Sequence, residues 1–588
     1  MDKKSVEFIK SLKPTDLPNG MDVLKEGIAM GNKIKAGKSL FLKESGFDTF
    51  QAYKEDCAAR GEVIFEILLG MATLEEQVDA IKKIYEFGQR TGLNIRTVQC
   101  VPSVLVALPK EYRENAPEGT SYLMETLDDY LAHQADVPMQ VFFEDHILCC
   151  PNSIETTTNA IIAGSERCGL VSQFIWSQPG FSDHRQHMID LVKSIGMVAS
   201  KRDEGFICDT FMDDGLPGFA MDCVTYVGYA LLEHHIVHKL CGARHQISYG
   251  NLLSEYIPRL AFPLAIHKLL STKEENAIGY VNGATIYQWD HDIESNYGPA
   301  AQEMLLEILF ERHYKMGLQI DPVSITEKIT VPTLQDLLNI FSVGARLCEQ
   351  APAWDALMNW TPIEDCADIM MKEGTKFFEN AMAIFKEAGI NTEDPLEMFM
   401  VIKKINPSKF EAIFHHNKDK NGTVVPLIPS VLGRQTIEMT KEIVKELHEV
   451  KGLEGNELEG VKIAVASGDT HTYGLYFVDD ILTQFGAEVI NGGVDIDPPE
   501  LLDLADEEGL DFIGISVHNG QGLEYAKQLV ELAKKRGKKY NMILGGMLNA
   551  LLPGESVPVD VQDKINELGV FTSNDTCEMI CKLKSWKS

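Results

Sequence analysis

No apolar run in this 588-residue chain approaches the roughly 20 residues that a helix needs to cross a bilayer. The first residues, MDKKSVEFIKSLKPTD, lack the apolar core of a secretory signal. Basic residues are scarce: 54 Lys and Arg stand against 87 Asp and Glu, a formal net charge of −33, and no basic block occurs. That balance argues against nucleic acid and anionic membrane surfaces as partners. The 12 cysteines show no CxxC pair and no framework spacing; Cys149 and Cys150 are adjacent, and Cys577 and Cys581 lie one helical turn apart. This usage excludes a disulfide scaffold and fits a reduced compartment, so a soluble cytoplasmic protein is expected. A phosphate-cradling P-loop, a G-x-G-x-x-G after a strand, a G-x-S-x-G elbow and low-complexity segments are also missing.

What is present is a rhythm. After a mostly helical segment, 1–60, short apolar strand candidates fall at 63–70, 93–101, 139–145, 170–176, 205–212, 244–250, 284–290 and 325–333. Most are followed by helix-like stretches, among them 74–90, 153–167, 185–195, 220–240, 254–270 and 299–316. Eight strands alternating with helices over 61–350 predict a (β/α)8 TIM barrel, with active residues at the strand C-terminal ends. A helical extension, 351–450, and a Gly- and Glu-rich linker, 451–460, follow.

The last segment, 461–588, opens with Val461–Gly474, VKIAVASGDTHTYG: an apolar strand and then Asp469, His471 and Gly474 in the order D-x-H-x-x-G. A second strand, DFIGISV, carries Ser516, and a third, NMIL, runs into Gly545 and Gly546. Helix-like stretches at 475–485, 498–508 and 521–536 separate them, which predicts a Rossmann-like (flavodoxin-like) doubly wound sheet with its functional loops on one edge. The fold class is therefore α/β in both parts.

These residues resemble the cobalamin-binding module of the corrinoid mutases and methyltransferases, whose pattern is D-x-H-x-x-G, then S-x-L, then G-G. The resemblance implies base-off, His-on cobalamin with His471 as the axial ligand of cobalt and Asp469 orienting its ring; a carboxylate on the far nitrogen fixes the tautomer and raises ligand basicity. It also implies that Gly474, Ser516, Gly545 and Gly546 accommodate the displaced nucleotide tail, with Gly520, Gly522 and Thr572 completing the cofactor-binding set. His518 stands where the pattern has Leu. A barrel N-terminal to such a module resembles the adenosylcobalamin mutases. Shorter stretches, SYGN (248–251), YQWD (287–290), ITVPT (329–333) and NGQG (519–522), are similar to glutamate mutase and to its fused relative, the 2-methyleneglutarate mutases. The implied reaction is a radical carbon-skeleton isomerisation of a small carboxylic acid, first of all 2-methyleneglutarate to methylitaconate, in a homo-oligomer, dimer or tetramer. An aminomutase, with pyridoxal phosphate in addition, and a corrinoid methyl carrier stay open.

The places of glutamate mutase's three substrate-binding arginines fall near Leu68, Leu105 and Phe142, and that of its amine-binding carboxylate near Gln178. Arg96, Arg185 and Arg244 are candidate replacements for the arginines. Glu144, Asp145, Asp213, Asp214, Asp290 and Asp292 near strand ends suit a cationic substrate instead. Because the cofactor carries the hard chemistry, hydrogen-bonding residues are sought rather than an acid/base pair: Gln178, Tyr249, Gln288 and His291 as catalytic candidates, and Gln99, Arg96, Arg185 and Asn251 as substrate binders. His234 and His238, at i and i+4 on a helix, have metal-ligand spacing but no third ligand in sequence. They, the pair His415–His416 and the pair Cys149–Cys150 read as packed or solvated residues.

Overall fold

The computed structural model describes residues 3–587 apart from 115–120, 135, 177, 179–180, 182, 217–219, 284–287, 290–291, 328–331, 406, 421, 450–451, 469–472, 494–495, 511, 518–520, 551, 553–558 and 574. The chain divides into two compact units: residues 1–175 with 183–431, and residues 432–588 with 176–182. Among the described residues no helix is long and apolar enough to cross a membrane.

The first unit is built on a closed barrel of eight strands in chain order: β1 (Ile64–Leu69), β2 (Ile95–Cys100), β3 (Gln140–Phe143), β4 (Arg167–Cys168), β5 (Ile207–Phe211), β6 (Arg244–Tyr249), β7 (Ile278–Asn282) and β8 (Gln319–Asp321). All neighbours are parallel, and β1 closes on β8 through Ile64↔Gln319 and Phe65↔Ile320. The alternation of strand side chains sends Phe65 of β1 outward, where its ring meets Phe341 of the helix Leu334–Trp354. It sends Glu66 and Leu68 inward. Crossover helices start and stop on local signals: Thr73 accepts the Glu76 N–H at 3.2 Å to begin Leu74–Thr91, and Gly92, at φ 73°, ends it.

Three strands differ from the sequence reading. β4 lies at 167–168 instead of 170–176, where Val171–Ile175 forms a 3₁₀ helix burying Val171 and Phe174. β7 lies at 278–282 instead of 284–290, and β8 at 319–321 instead of 325–333. β4 and β8 are two and three residues long and carry Arg167, Gln319 and Asp321, so no apolar run marks them. The residues 284–287, 290 and 328–331 of the other two expected strands lie outside the described residues.

The helices Leu40–Ser45 and Phe50–Arg60 close the barrel at the strand N-terminal ends. Phe50 packs edge-on to Phe142 at 5.3 Å, Lys54 donates to the Ile278 carbonyl at 2.8 Å, and Gln246 donates to Gln51. The long helix Thr361–Glu387 packs against Val224–His234 and Tyr256–Leu270 outside the barrel.

In the second unit five parallel strands lie in the order β10 (Glu488–Gly493), β9 (Lys462–Ser467), β11 (Phe512–Ser516), β12 (Asn541–Gly545), β15 (Phe571–Thr572). A two-stranded antiparallel ribbon, β13 (Asn549–Ala550) with β14 (Val559–Asp560), stands beside it. Ala464, Ile513, Ile515, Leu501, Leu529 and Leu544 form its apolar centre. The helices Tyr473–Gln484, Pro498–Glu508 and Gly522–Arg536 connect the strands, and the chain reverses direction across the sheet between β9 and β11, the place where open α/β sheets bind ligands.

Candidate functional site

The barrel lumen is polar where such barrels are ordinarily filled with branched apolar side chains. Its centre is Arg167, buried on β4, with its guanidinium carbon 4.2 Å from the Phe142 ring and 4.8 Å from the Tyr280 ring. Its Nε donates to Glu144, one Nη to Glu66, and the other to Gln319 Oε1 at 3.3 Å. Gln319 in turn donates to Glu66 at 2.6 Å and to Thr97 at 2.9 Å. Higher in the lumen, Ser248 donates to Asp209 at 3.1 Å, and Asn282 to Asp321 at 2.8 Å.

Burial dominates the electrostatics. It pushes Glu144 well above the usual carboxylate range, against the pull of Arg167. It raises Asp209 to about 7 and Asp321 to about 8, the latter helped by the charge of Glu66. Burial, and then the nearby Arg167, lowers Lys54 to about 8. Three buried oxygens, Gln99 Oε1, Glu144 Oε2 and Asp209 Oδ2, have no hydrogen-bond partner among the described residues. Inward-facing Leu68, toward the C-terminal end of β1, is 37% exposed.

Of the predicted substrate residues, Gln99 lines this lumen: Thr97 faces inward, and Gln99, two residues on, shares its face. Arg96 points outward over the Tyr85 ring at 5.9 Å. Arg185 is exposed on the helix His184–Ala199 and donates to the Asp16 carbonyl at 2.6 Å. Arg244 sits at the N-terminal end of β6 beside Glu275, 3.8 Å away. None of the three is a lumen residue, because each occupies an outward or N-terminal strand position or a helix. Tyr249 also faces outward; its hydroxyl donates to the Arg259 carbonyl at 2.9 Å and its ring packs on Phe262. Asn251 lies in the turn after β6 that Asp213 holds by accepting from Gly250 N at 2.8 Å and Leu252 N at 3.0 Å. Gln288 is exposed in the loop after β7, and Gln178 pairs with Phe181 in an isolated bridge of the segment 176–182. His291 and Asp290 lie outside the described residues.

Sequence reasoning passed over Glu66, Arg167, Asp209, Gln319 and Asp321. One signal was available: Glu66 interrupts the apolar run VIFEILL, and a charge inside a strand buried on both faces needs a partner. The other candidates are structural. The stacked rings of His234 and His238 lie on an outer helix, and no metal-ligating cluster occurs among the described residues. His415 pairs with Asp222 at 3.1 Å, His416 with Glu373 at 2.8 Å, and Cys149 and Cys150 are buried.

In the second unit the central strands end in small residues. β9 ends at Ser467–Gly468, β11 at Ser516 and β12 at Gly545–Gly546. Gly468 N and the Ser467 hydroxyl donate to the Ser516 carbonyl at 2.9 and 3.2 Å, and Val517 N to the Gly545 carbonyl at 3.0 Å. A Cβ at Gly468 would fall 2.7 Å from the Tyr525 ring and one at Gly545 2.9 Å from the Ser573 carbonyl oxygen; Gly546 has φ 102°. Glycine is required at these places.

Residues 460–563 match the B12 binding domain. The chain thus carries a B12-binding domain C-terminal to the barrel, which makes cobalamin the expected cofactor. The solved structure of a novel cobalamin-binding protein from Desulfitobacterium hafniense DCB-2 is similar over 26% of this chain and 70% of its own, at 19% identity and a TM-score of 0.20. No curated protein matches the chain.

The carboxyl edge of the sheet suits a cobalamin, since glycine and serine end its three central strands at the reversal of strand order. Gly474 lies in the first turn of Tyr473–Gln484 and Gly522 begins Gly522–Arg536. Thr572 is turned toward Asn566, accepting from its amide at 2.8 Å. Asp469, His471, His518 and Gly520 lie outside the described residues.

Proposed function

We propose that the chain is an adenosylcobalamin-dependent mutase, an isomerase that rearranges the carbon skeleton of a small polar substrate inside the barrel lumen. The observation that carries this reading is a closed barrel with a polar, charge-lined lumen on the same chain as a B12-binding domain. When bound, the cofactor supplies a carbon-centred radical by homolysis of its cobalt–carbon bond. His471, oriented by Asp469, would be the cobalt ligand, and Ser516, Gly545 and Gly546 would border the nucleotide tail.

The part of the barrel's own residues is to orient a substrate and exclude water. The helices Leu40–Ser45 and Phe50–Arg60 seal one end of the lumen, so substrate enters at the strand C-terminal end. Gln99, Glu144 and Asp209 offer it buried acceptors. The Arg167–Glu66–Glu144–Gln319 network fixes the lower wall with every member hydrogen-bonded. Among acids, sequence resemblance places 2-methyleneglutarate, rearranged to methylitaconate, first.

The test is an anaerobic electron paramagnetic resonance spectrum of the protein with adenosylcobalamin, alone and with 2-methyleneglutarate, glutamate or ornithine. A cobalt(II)-coupled organic radical that appears with one substrate and not without is expected. Tight binding of methylcobalamin, with no radical from any of them, would replace the mutase reading with that of a methyl carrier.

A further inference from the structure

Gly169 follows β4, and a Cβ built on it would lie 3.2 Å from the Cβ of Glu144 and 3.6 Å from that of Asp209. Glu144 and Asp209 therefore both pack directly against Gly169. Each has one oxygen engaged, Glu144 Oε1 by Arg167 and Asp209 Oδ1 by Ser248. Each has its second oxygen buried without a partner among the described residues, and the buried Gln99 Oε1 is a third such acceptor.

The cations of the lumen are already committed. Arg167 donates to Glu144, Glu66 and Gln319, and Lys54 to the Ile278 carbonyl. Four carboxyl groups, Glu66, Glu144, Asp209 and Asp321, thus share the lumen with two cations among the described residues. A dicarboxylate entering here would meet four carboxyl groups and, among the described residues, no unengaged guanidinium, and a buried charge without a partner is strongly unfavourable. An ammonium group has three donors and no acceptor, and it complements three unpartnered oxygens while balancing two carboxylates.

We propose that this lumen binds a substrate carrying a protonated amine, seated against Gly169 between Glu144 and Asp209 with Gln99 as the further acceptor, and does not bind a dicarboxylate. The chemistry that follows binding rests on the mutase reading; the binding itself does not. Burial favours the neutral form of both acids in the empty lumen. An arriving ammonium favours their ionised form, so binding releases protons to solvent. Glu66, Arg167, Asp321, Lys54 and Tyr280 face the same space; Glu66 pairs with Arg167, Asp321 accepts from Asn282 and Lys54 donates to the Ile278 carbonyl, which limits how far they share in that release.

Isothermal titration calorimetry of the full chain without cofactor, at pH 7 in two buffers of different ionisation enthalpy, tests this. The probes are methylammonium, n-propylammonium, ornithine, glutarate and 2-methyleneglutarate. At least one of the amines is expected to bind with net proton release, and its affinity is expected to fall roughly tenfold or more in Glu144→Gln and Asp209→Asn. Gly169→Ala keeps both charges and presses its methyl group against Glu144, so it should weaken the amine even if a carboxyl variant fails to fold. Binding of a dicarboxylate in preference, absence of binding by every amine, or amine binding indifferent to all three substitutions would overturn the proposal. A radical triggered by 2-methyleneglutarate would sink this inference and leave the mutase reading standing. Amine binding with no radical from any substrate would do the reverse.

Discussion

At the scale of single residues, the lumen is a set of acids whose ionisation is set by burial. Asp321 accepts from Leu68 N at 3.3 Å and from Asn282 at 2.8 Å, and burial raises it to about 8. Its folded value lies above its ordinary one, so the native chain keeps a proton that the unfolded chain gives up. The stability this group contributes is complete below about pH 4 and is lost as pH rises through about 8. Asp321→Asn removes that dependence. Urea unfolding between pH 5 and 7 should therefore show the stability of the variant falling less steeply with pH than the wild type, by about 1.4 kcal/mol per pH unit; parallel curves would show that Asp321 is ionised in the native state. Such residues were poorly legible in the sequence. Arg167 was passed over because its strand is two residues long and periodicity needs a longer run to register. Gln99 could be placed because β2 alternates over six residues.

At the scale of elements, the legible strands were β1, β2, β3, β5 and β6, each four to six residues long. β7 and β8 were displaced onto the aromatic and β-branched stretches after them, whose composition imitates a strand. What fastens the true strand ends is Arg259, buried on Tyr256–Leu270, which no periodicity distinguishes from a surface arginine. It donates to the carbonyls of Gly250 at 3.0 Å and Leu253 at 3.2 Å after β6 and of Asn282 at 2.5 Å on β7, and to Glu307 at 2.8 Å on the helix Tyr297–Tyr314. Lysine keeps the charge but cannot span these acceptors with one ammonium. Arg259→Lys is therefore expected to lower stability by roughly 3 kcal/mol, through carbonyls and a carboxylate left without donors. Chemical denaturation followed by far-UV circular dichroism measures it, and a loss below about 0.5 kcal/mol, the range of a surface substitution, would mean that the loops after β6 and β7 are held by other contacts.

At the scale of the whole molecule, the presence of two architectures, a barrel and a doubly wound sheet, was readable because the hydrophobic pattern changes from one to the other. The barrel and its helices occupy the first unit and the five-stranded sheet the second, each with an apolar centre of its own. The small residues at the carboxyl edge of the second sheet were readable as well, through the spacing of Gly474, Ser516 and Gly545. Separate cores predict separate unfolding, since cooperativity follows the packed contacts within a unit. Differential scanning calorimetry should resolve two transitions. Hydroxocobalamin at about one hundred times its dissociation constant adds roughly 2.7 kcal/mol to whatever state binds it, and for a unit of this size that moves a midpoint upward by roughly 5–10 °C. The shift is expected in the transition of the second unit, with the barrel transition unmoved, and His471→Ala should abolish it if the imidazole carries most of the binding. Propylammonium should act in the opposite place, raising the barrel transition alone. A shift of the barrel transition by cobalamin alone would overturn the assignment of the cofactor to the second unit.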